Sequence, residues 1–319
     1  MKRIILSALL LSMFALSCQT EKAATDSAPS QNKRQGWDGT ALYGDVESVV
    51  VKSREDGNDS YTTRKYMFNQ RGDVYEVSTY NASGRLIPET IYRYDENGKM
   101  VEKQLHYNGA LAKRVFFRYD AEGNNTEVNE LDARGKLLRK LNYIYVEGRI
   151  VKMIADVRIN NERYDYPFVY DSRGNLIEGT EYDTPRDDEF SGCFETHKYL
   201  YDANGKVIKD CYNRLDAVEG GDIEVTYTYD DKGRKIKKRT IVDYVFLDEY
   251  IEIFKYDDAG KLIEVEEFYS SSDYPGKLTK YTKFYKYDSM GNEIEVVESG
   301  RNGAKSEVVR SSQITYRRE

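Results

Sequence analysis

The sequence predicts an all-β fold, an antiparallel meander of repeated β-hairpins that forms a curved, open or coiled β-strip. Three observations predict it. A phrase of aromatic, any residue, Tyr-Asp, two residues and Gly recurs seven times in the 319 residues. Successive Tyr-Asp pairs lie 25, 51, 31, 28, 27 and 31 residues apart, with two degenerate copies inside the long gap. No stretch beyond residue 17 sustains the 3.6-residue apolar period of a helix. Self-similarity at a fixed period marks units that stack on their neighbours.

The seven copies stand at Tyr92–Gly98, Phe117–Gly123, Phe168–Gly174, Tyr199–Gly205, Tyr227–Gly233, Phe254–Gly260 and Tyr285–Gly291. Looser copies stand at Phe68–Gly72, Tyr80–Gly84, Leu131–Gly135 and Tyr143–Gly148. Aromatics two residues apart share one face of a strand. The Asp that follows accepts backbone N–H groups two residues on and starts a turn. The Gly supplies the positive φ that a type I turn with a left-handed fourth residue requires. The predicted turn pairs are Asp95 with Gly98, Asp120 with Gly123, Asp171 with Gly174 and Asp202 with Gly205. Asp230 with Gly233, Asp257 with Gly260 and Asp288 with Gly291 complete the set. The third residue past Gly (Val101, Thr126, Leu138, Ile177, Ile208, Ile236, Ile263 or Ile294) is expected opposite the opening aromatic, on the same face.

Residues 1–17 read as an export signal, with Lys2 and Arg3 before the apolar run Ile4–Leu16. That run is too short for a permanent spanning helix. Ser17 then precedes Cys18, and the junction resembles the lipobox of bacterial lipoproteins, although Ala15 stands where that family prefers Leu. The resemblance implies removal of the signal and lipidation of Cys18, hence membrane attachment through a lipid anchor. Gln19 in place of Asp implies the outer membrane. Residues 18–36 hold no aromatic and read as a flexible tether. From Trp37 the composition turns aromatic, and 37–319 is the expected repeat domain.

Losing Lys2 and Arg3 moves the formal charge from −7 to −9. Interleaved Lys and Glu with an acidic balance argue against nucleic acid as partner. They argue equally against a lipid-facing barrel wall. The basic run Arg234–Arg239 is expected to form a solvated edge. Cys193 and Cys211 flank one hairpin, with Cys211 expected opposite Glu195 or Thr196. A bulge would then be needed to bring the two sulfurs together. The pair is a candidate disulfide, with two separate thiols as the alternative. Composition places long loop tips at Asp156–Pro167, Thr184–Gly192, Asp216–Asp222 and Ser270–Gly276, and a closing strand at Ser306–Tyr316.

Groupings that carry chemistry are sparse. The two histidines, His106 and His197, stand beside aromatics without ligands at metal spacing. There is no nucleophile elbow, phosphate loop or dinucleotide fingerprint. One Asp per turn does not assemble the oxygen cage that calcium needs, nor does Asp187-Asp188-Glu189 alone. No catalytic residue, cofactor or metal is expected. The 29 tyrosines serve either as core or as a binding platform. Those outside the phrase (Tyr61, Tyr107, Tyr164, Tyr166, Tyr182, Tyr269 and Tyr274) are the ones placed for exposure.

The phrase continued as Tyr-Asp-x-x-Gly, a polar residue, then Leu or Ile resembles the YD repeat of the Rhs/YD-repeat family over roughly residues 66–298. The resemblance implies a β-strip on the cell envelope. The family's encapsulating shells are not implied, because this chain is far shorter. The expected function is a cell-envelope lipoprotein acting as a non-catalytic binding or scaffold module, with a glycan or an envelope protein as ligand. A glycan-acting hydrolase using loop carboxylates, and a purely structural part of an envelope assembly, are the alternatives.

Overall fold

The computed structural model describes residues 35–37, 39, 41–54, 60–158, 161–183, 193–214, 222–243, 247–273, 276–300 and 304–317. Among them stand 21 strands and no helix, in an antiparallel meander of hairpins. The chain divides into two compact units. One takes the chain up to Leu111 with Lys286–Glu295 and the segment from Val309, and the other takes Ala112–Tyr285 with Val296–Val308.

The first unit holds β1 (Val46–Arg54), β2 (Tyr61–Phe68), β3 (Val74–Tyr80), β4 (Leu86–Tyr94) and β5 (Met100–Tyr107). β1 pairs with β2 from Ser48↔Met67 to Arg54↔Tyr61. On its other edge it pairs with the end of the last strand, β21 (Ala304–Tyr316), from Val46↔Tyr316 to Ser53↔Arg310. The expected closing strand thus seals the first one. Leu42, Val46, Val49, Tyr66, Phe68, Val74 and Val77 form its buried core. Trp37 packs edge-on against Tyr66 at 4.7 Å and near Phe68 at 5.8 Å. Asn292, fully buried, ties the unit's distant segments together. Its amide accepts from Tyr43 N–H at 2.5 Å and bonds the Tyr316 hydroxyl at 2.7 Å.

The second unit runs through β6 (Ala110–Tyr119), β7 (Asn125–Asp132), β8 (Leu137–Val146), β9 (Arg149–Val157) and β10 (Glu162–Pro167). β11 (Val169–Tyr170), β12 (Leu176–Asp183), β13 (Cys193–Tyr201), β14 (Val207–Arg214) and β15 (Asp222–Tyr229) follow. β16 (Lys235–Asp243), β17 (Leu247–Tyr256), β18 (Leu262–Ser271) and β19 (Thr279–Tyr287) come next, and β20 (Glu293–Gly300) leads to β21. Segment 156–167, expected as a loop, is largely strand. β9 runs to Val157, and β10 pairs with it from Glu162↔Val157 to Pro167↔Lys152.

Each Tyr-Asp-x-x-Gly turn has one geometry. The Asp side chain accepts the N–H of the residue after Gly at 2.7–2.9 Å in all seven copies. The Gly residues have φ between 78° and 95°. Hydrogen bonds from Asn124 and Asn175 hold Asp120 and Asp171 below the ordinary carboxylate range.

The register past the turn differs from the sequence expectation. Tyr92 faces Lys103 and Tyr94 faces Met100, so Val101 is left over. The same slip leaves Thr126, Ile208, Ile236 and Ile263 without a partner. Every such hairpin carries a β-bulge at the third residue past Gly, which turns that residue to the face opposite the aromatics. Ile208 and Ile263 are accordingly exposed.

The bulge explains why the phrase specifies Tyr rather than Phe at its third position. The Tyr94 hydroxyl donates to Val74 O (2.5 Å), Tyr145 to Asn125 O (3.0 Å) and Tyr170 to Ile150 O (2.9 Å). Tyr201 donates to Leu176 O (2.6 Å), Tyr229 to Val207 O (2.8 Å) and Tyr256 to Lys235 O (2.7 Å). Each acceptor is the second residue past the Gly of a turn one hairpin earlier, where the bulge interrupts the ladder. The cation just past Gly completes the link. Arg149 lies over the Tyr170 ring, Lys206 over Tyr229 and Arg234 over Tyr256, at 4.7–5.7 Å. The motif tyrosines are half-buried, spent on joining one hairpin to the next.

The basic run Arg234–Arg239 is no edge. β16 pairs on both sides, with β15 and β17. Its charges are accommodated individually. Lys235 sits over the Tyr227 ring at 4.8 Å, Lys238 meets Glu252 at 2.7 Å and Arg239 meets Glu249 at 2.6 Å.

Candidate functional site

The densest group of titratable side chains lies in the second unit, on β12–β14. Register places Glu181 directly opposite Glu195, a like-charge pair that opposes pairing unless a cation stands beside it. His197, two residues along β13 on the same face, is that cation. Its Nδ1 lies 3.0 Å from both oxygens of Asp210, and its Nε2 lies 3.7 Å from Glu195 Oε2. The ring stacks on Tyr199 at 5.6 Å and on Tyr212 at 4.6 Å. It is 3% exposed. Burial opposes its charge, but hydrogen bonding to Asp210 and the nearby Glu195 outweighs this and raises His197 to about 9. Burial also pushes Tyr199 and Tyr227 above the usual tyrosine range. A general base must be neutral at working pH and within reach of substrate. The His197 ring is closed off from solvent by Asp210, Glu195, Tyr199 and Tyr212.

A second buried ionic group lies on β6–β8. Lys113 Nζ is 3.0 Å and Arg139 Nη1 3.2 Å from the two oxygens of Glu130, and all three residues are buried. Phe194 lies under Arg139 at 5.6 Å and stacks with Tyr166 at 4.9 Å. Phe194 joins Leu141, Met153, Ala155 and Val157 in a core cluster, while its neighbour Glu195 is buried on the opposite face. Residues in succession along a strand point to opposite sides, so this end of β13 is covered on both.

Cys18 and Asp187-Asp188-Glu189 lie outside the described residues. Cys211 is a free thiol, pushed up in pKa by burial, and its ladder partner is Lys198 rather than Glu195 or Thr196. Cys193 is five positions further along β13, on the order of 17 Å by strand rise. A disulfide needs Cα atoms within about 7 Å. The turn closes at Tyr201↔Val207, one position beyond the expected register, and the bulge at Ile208 shifts the pairing by one more. His106 lies on β5 with both ring nitrogens buried. Among the described residues no three His, Cys, Asp or Glu side chains are placed to hold a metal ion.

Of the tyrosines outside the phrase, Tyr61, Tyr107 and Tyr164 are exposed, Tyr166 and Tyr269 half-buried. The side chains of Tyr182 and Tyr274 fall outside the described set. Sequence reasoning missed the partners of His197. The available signal was two acids, Glu195 and Asp210, at strand-face spacing from it across a single turn.

No protein-family model matches the chain, and no curated protein is significantly similar to it. Solved structures to which the chain is similar include TcdB2-TccC3-Cdc42, with a TM-score of 0.34 and 10% identity. That match covers 80% of this chain, which spans 16% of the other. A porin-like protein from Bacteroides uniformis gives 0.38 at 8% identity, covering 85% of this chain and 96% of that one. A porin-like protein from Bacteroides vulgatus gives 0.33 at 11%, covering 85% and 98%.

Proposed function

We propose that the chain is a cell-envelope lipoprotein of YD-repeat type, held in the outer membrane by a lipid on Cys18. In this reading it is a non-catalytic binding or scaffold module with a glycan or an envelope protein as ligand. The observation that carries the reading is the division of labour among side chains. His197, the group most suited to acid–base work, is sealed between Asp210, Glu195 and two tyrosine rings. Tyr61, Tyr107 and Tyr164 instead present rings to solvent. Tyrosine suits such contacts because it joins an apolar ring to a hydroxyl. The apolar signal ending at Ser17-Cys18 and the polar tether support the address.

The test is retention of the mature chain on a broad panel of glycans, insoluble polysaccharides included. Specific retention lost in Tyr164→Ala or Tyr107→Ala supports a glycan-binding module. A blank panel transfers the ligand to the protein class. Turnover of any glycan on the panel refutes the non-catalytic reading. Lipid labelling of the parent but not of Cys18→Ala tests the anchor.

A further inference from the structure

The turn edge of the second unit holds an open cavity of about 470 Å³, in the size range of small-ligand sites. It lies between the turn Asp202–Gly205 and the turn Asp230–Gly233, with Lys206 and Tyr229 in its wall. The Tyr229 hydroxyl, donating to Val207 O, joins the two hairpins beside it. Two other steps of the array show what fills such a space. Arg71, the residue before a turn Gly, reaches the turn of the next hairpin it is joined to. There it donates to Glu96 O at 2.9 Å and to Asp95 O at 3.1 Å. Arg173, at the same place in its own turn, donates to Ala203 O at 3.5 Å. Glu96 and Ala203 both follow the Asp of their turn, so the acceptor is the same carbonyl in the two steps. At the step from Asp202 to Asp230 the residue before Gly is Asn204, too short for that reach. The residue with the matching carbonyl is Asp231, and it lines the cavity.

The charge of the lining selects the occupant. Asp202, Asp230 and Asp231 stand against Lys206 alone. Asp230 is satisfied by Arg234 at 2.7 Å. Asp202 spends Oδ1 on the N–H groups of Asn204 and Lys206, at 2.8 and 2.9 Å. In four of the seven turns a side chain (Asn124, Asn175, Arg234 or Asn292) also caps the other carboxylate oxygen. Among the described residues no donor reaches Asp202 Oδ2 or the Asp231 carboxylate. Lys206 does not take the arginine's part, because its ammonium lies over the Tyr229 ring at 5.1 Å and bonds no carbonyl of the later turn. The cavity thus presents acceptors in excess: two carboxylates and a carbonyl. A guanidinium, with five N–H donors in a flat fork, matches that set, whereas a lone ammonium or hydroxyl does not.

We propose that the cavity receives an arginine side chain of a partner protein, seated as the chain seats its own Arg71 and Arg173. This assignment rests on the protein-ligand side of the proposed function. The test is an NMR titration of the isotope-labelled mature chain with N-acetylarginine amide, and with its citrulline analogue, which keeps the shape and lacks the charge. The arginine probe is expected to shift the backbone amides of Asn204, Asp231 and Gly233, and the citrulline probe to leave them in place. Asn204→Arg supplies the missing side chain from within, so it should keep or raise the urea midpoint and abolish the shifts. Shifts that survive in Asn204→Arg, or that citrulline reproduces, overturn the proposal. A parent whose three amides stay unmoved by the arginine probe, or move only with a glycan, also overturns it. Glycan retention that depends on Tyr164, without any arginine response, strikes the cavity assignment and leaves the proposed function standing. Glycan turnover strikes that function whatever the cavity binds.

Discussion

Replacing Gly233 and Gly260 by Ala separates two demands on the turn glycine. Both have left-handed backbones, with φ of 78° and 85°. An L-residue there costs about 1–2 kcal/mol. At Gly260 that is the whole cost, because the nearest atom to an added Cβ is Arg234 Nη1 at 3.8 Å. At Gly233 the added Cβ would stand 1.8 Å from Lys206 Nζ. The ammonium is the far end of a flexible side chain, so it moves aside, but it loses its seat 5.1 Å from the Tyr229 ring centroid. Such a contact at a partly exposed site is worth about 0.5–1 kcal/mol. Gly260→Ala should therefore lower stability in urea by about 1–2 kcal/mol, and Gly233→Ala by about 0.5–1 kcal/mol more. In a Lys206→Ala background the excess at Gly233 should vanish. Equal losses at the two glycines in both backgrounds would refute the role assigned to the cation. No loss at either would refute the turn geometry itself.

Tyr201→Phe removes the hydroxyl from Leu176 O and should cost about 0.5–1.5 kcal/mol in urea unfolding. Glu130→Gln leaves two buried cations without their carboxylate and should cost about 3–5 kcal/mol. Lys113→Met leaves a balanced Glu130–Arg139 pair, so by the same assay it should cost distinctly less; the reverse order would contradict the ionic account. The raised His197 implies a pH dependence of definite sign. Its contribution is complete below the ordinary histidine value of about 6.5 and is lost as pH rises through about 9. The urea midpoint should fall across that window in the parent, and His197→Gln should flatten the fall.

The hairpins were legible because their signal is local: an aromatic pair, an Asp and a Gly within seven residues carry strand, turn and sign of φ together. The bulge was not, because nothing in Gly-Lys-Leu-Ile says which aliphatic faces the aromatic. The bulge, added to a turn that closes one position beyond expectation, misplaced both Ile208 and the partner of Cys211. The run Arg234–Arg239 misled for another reason. Solvation was the cheapest assumption for five cations, whereas the fold supplies an acid or a ring for Lys235, Lys238 and Arg239 from adjacent strands. The His197 cluster required strand registers that a sequence does not state.

The tyrosine hydroxyls give the chain a direction. Each of the six reaches back 20–25 residues to a carbonyl of an earlier turn, and none reaches forward. A hairpin emerging during synthesis thus finds its acceptor already in place. The last strand is tied in differently, because β21 pairs with β1 and brings Tyr316 to the buried Asn292. The order in which hairpins are joined is thus written in the hydroxyl group that distinguishes Tyr from Phe.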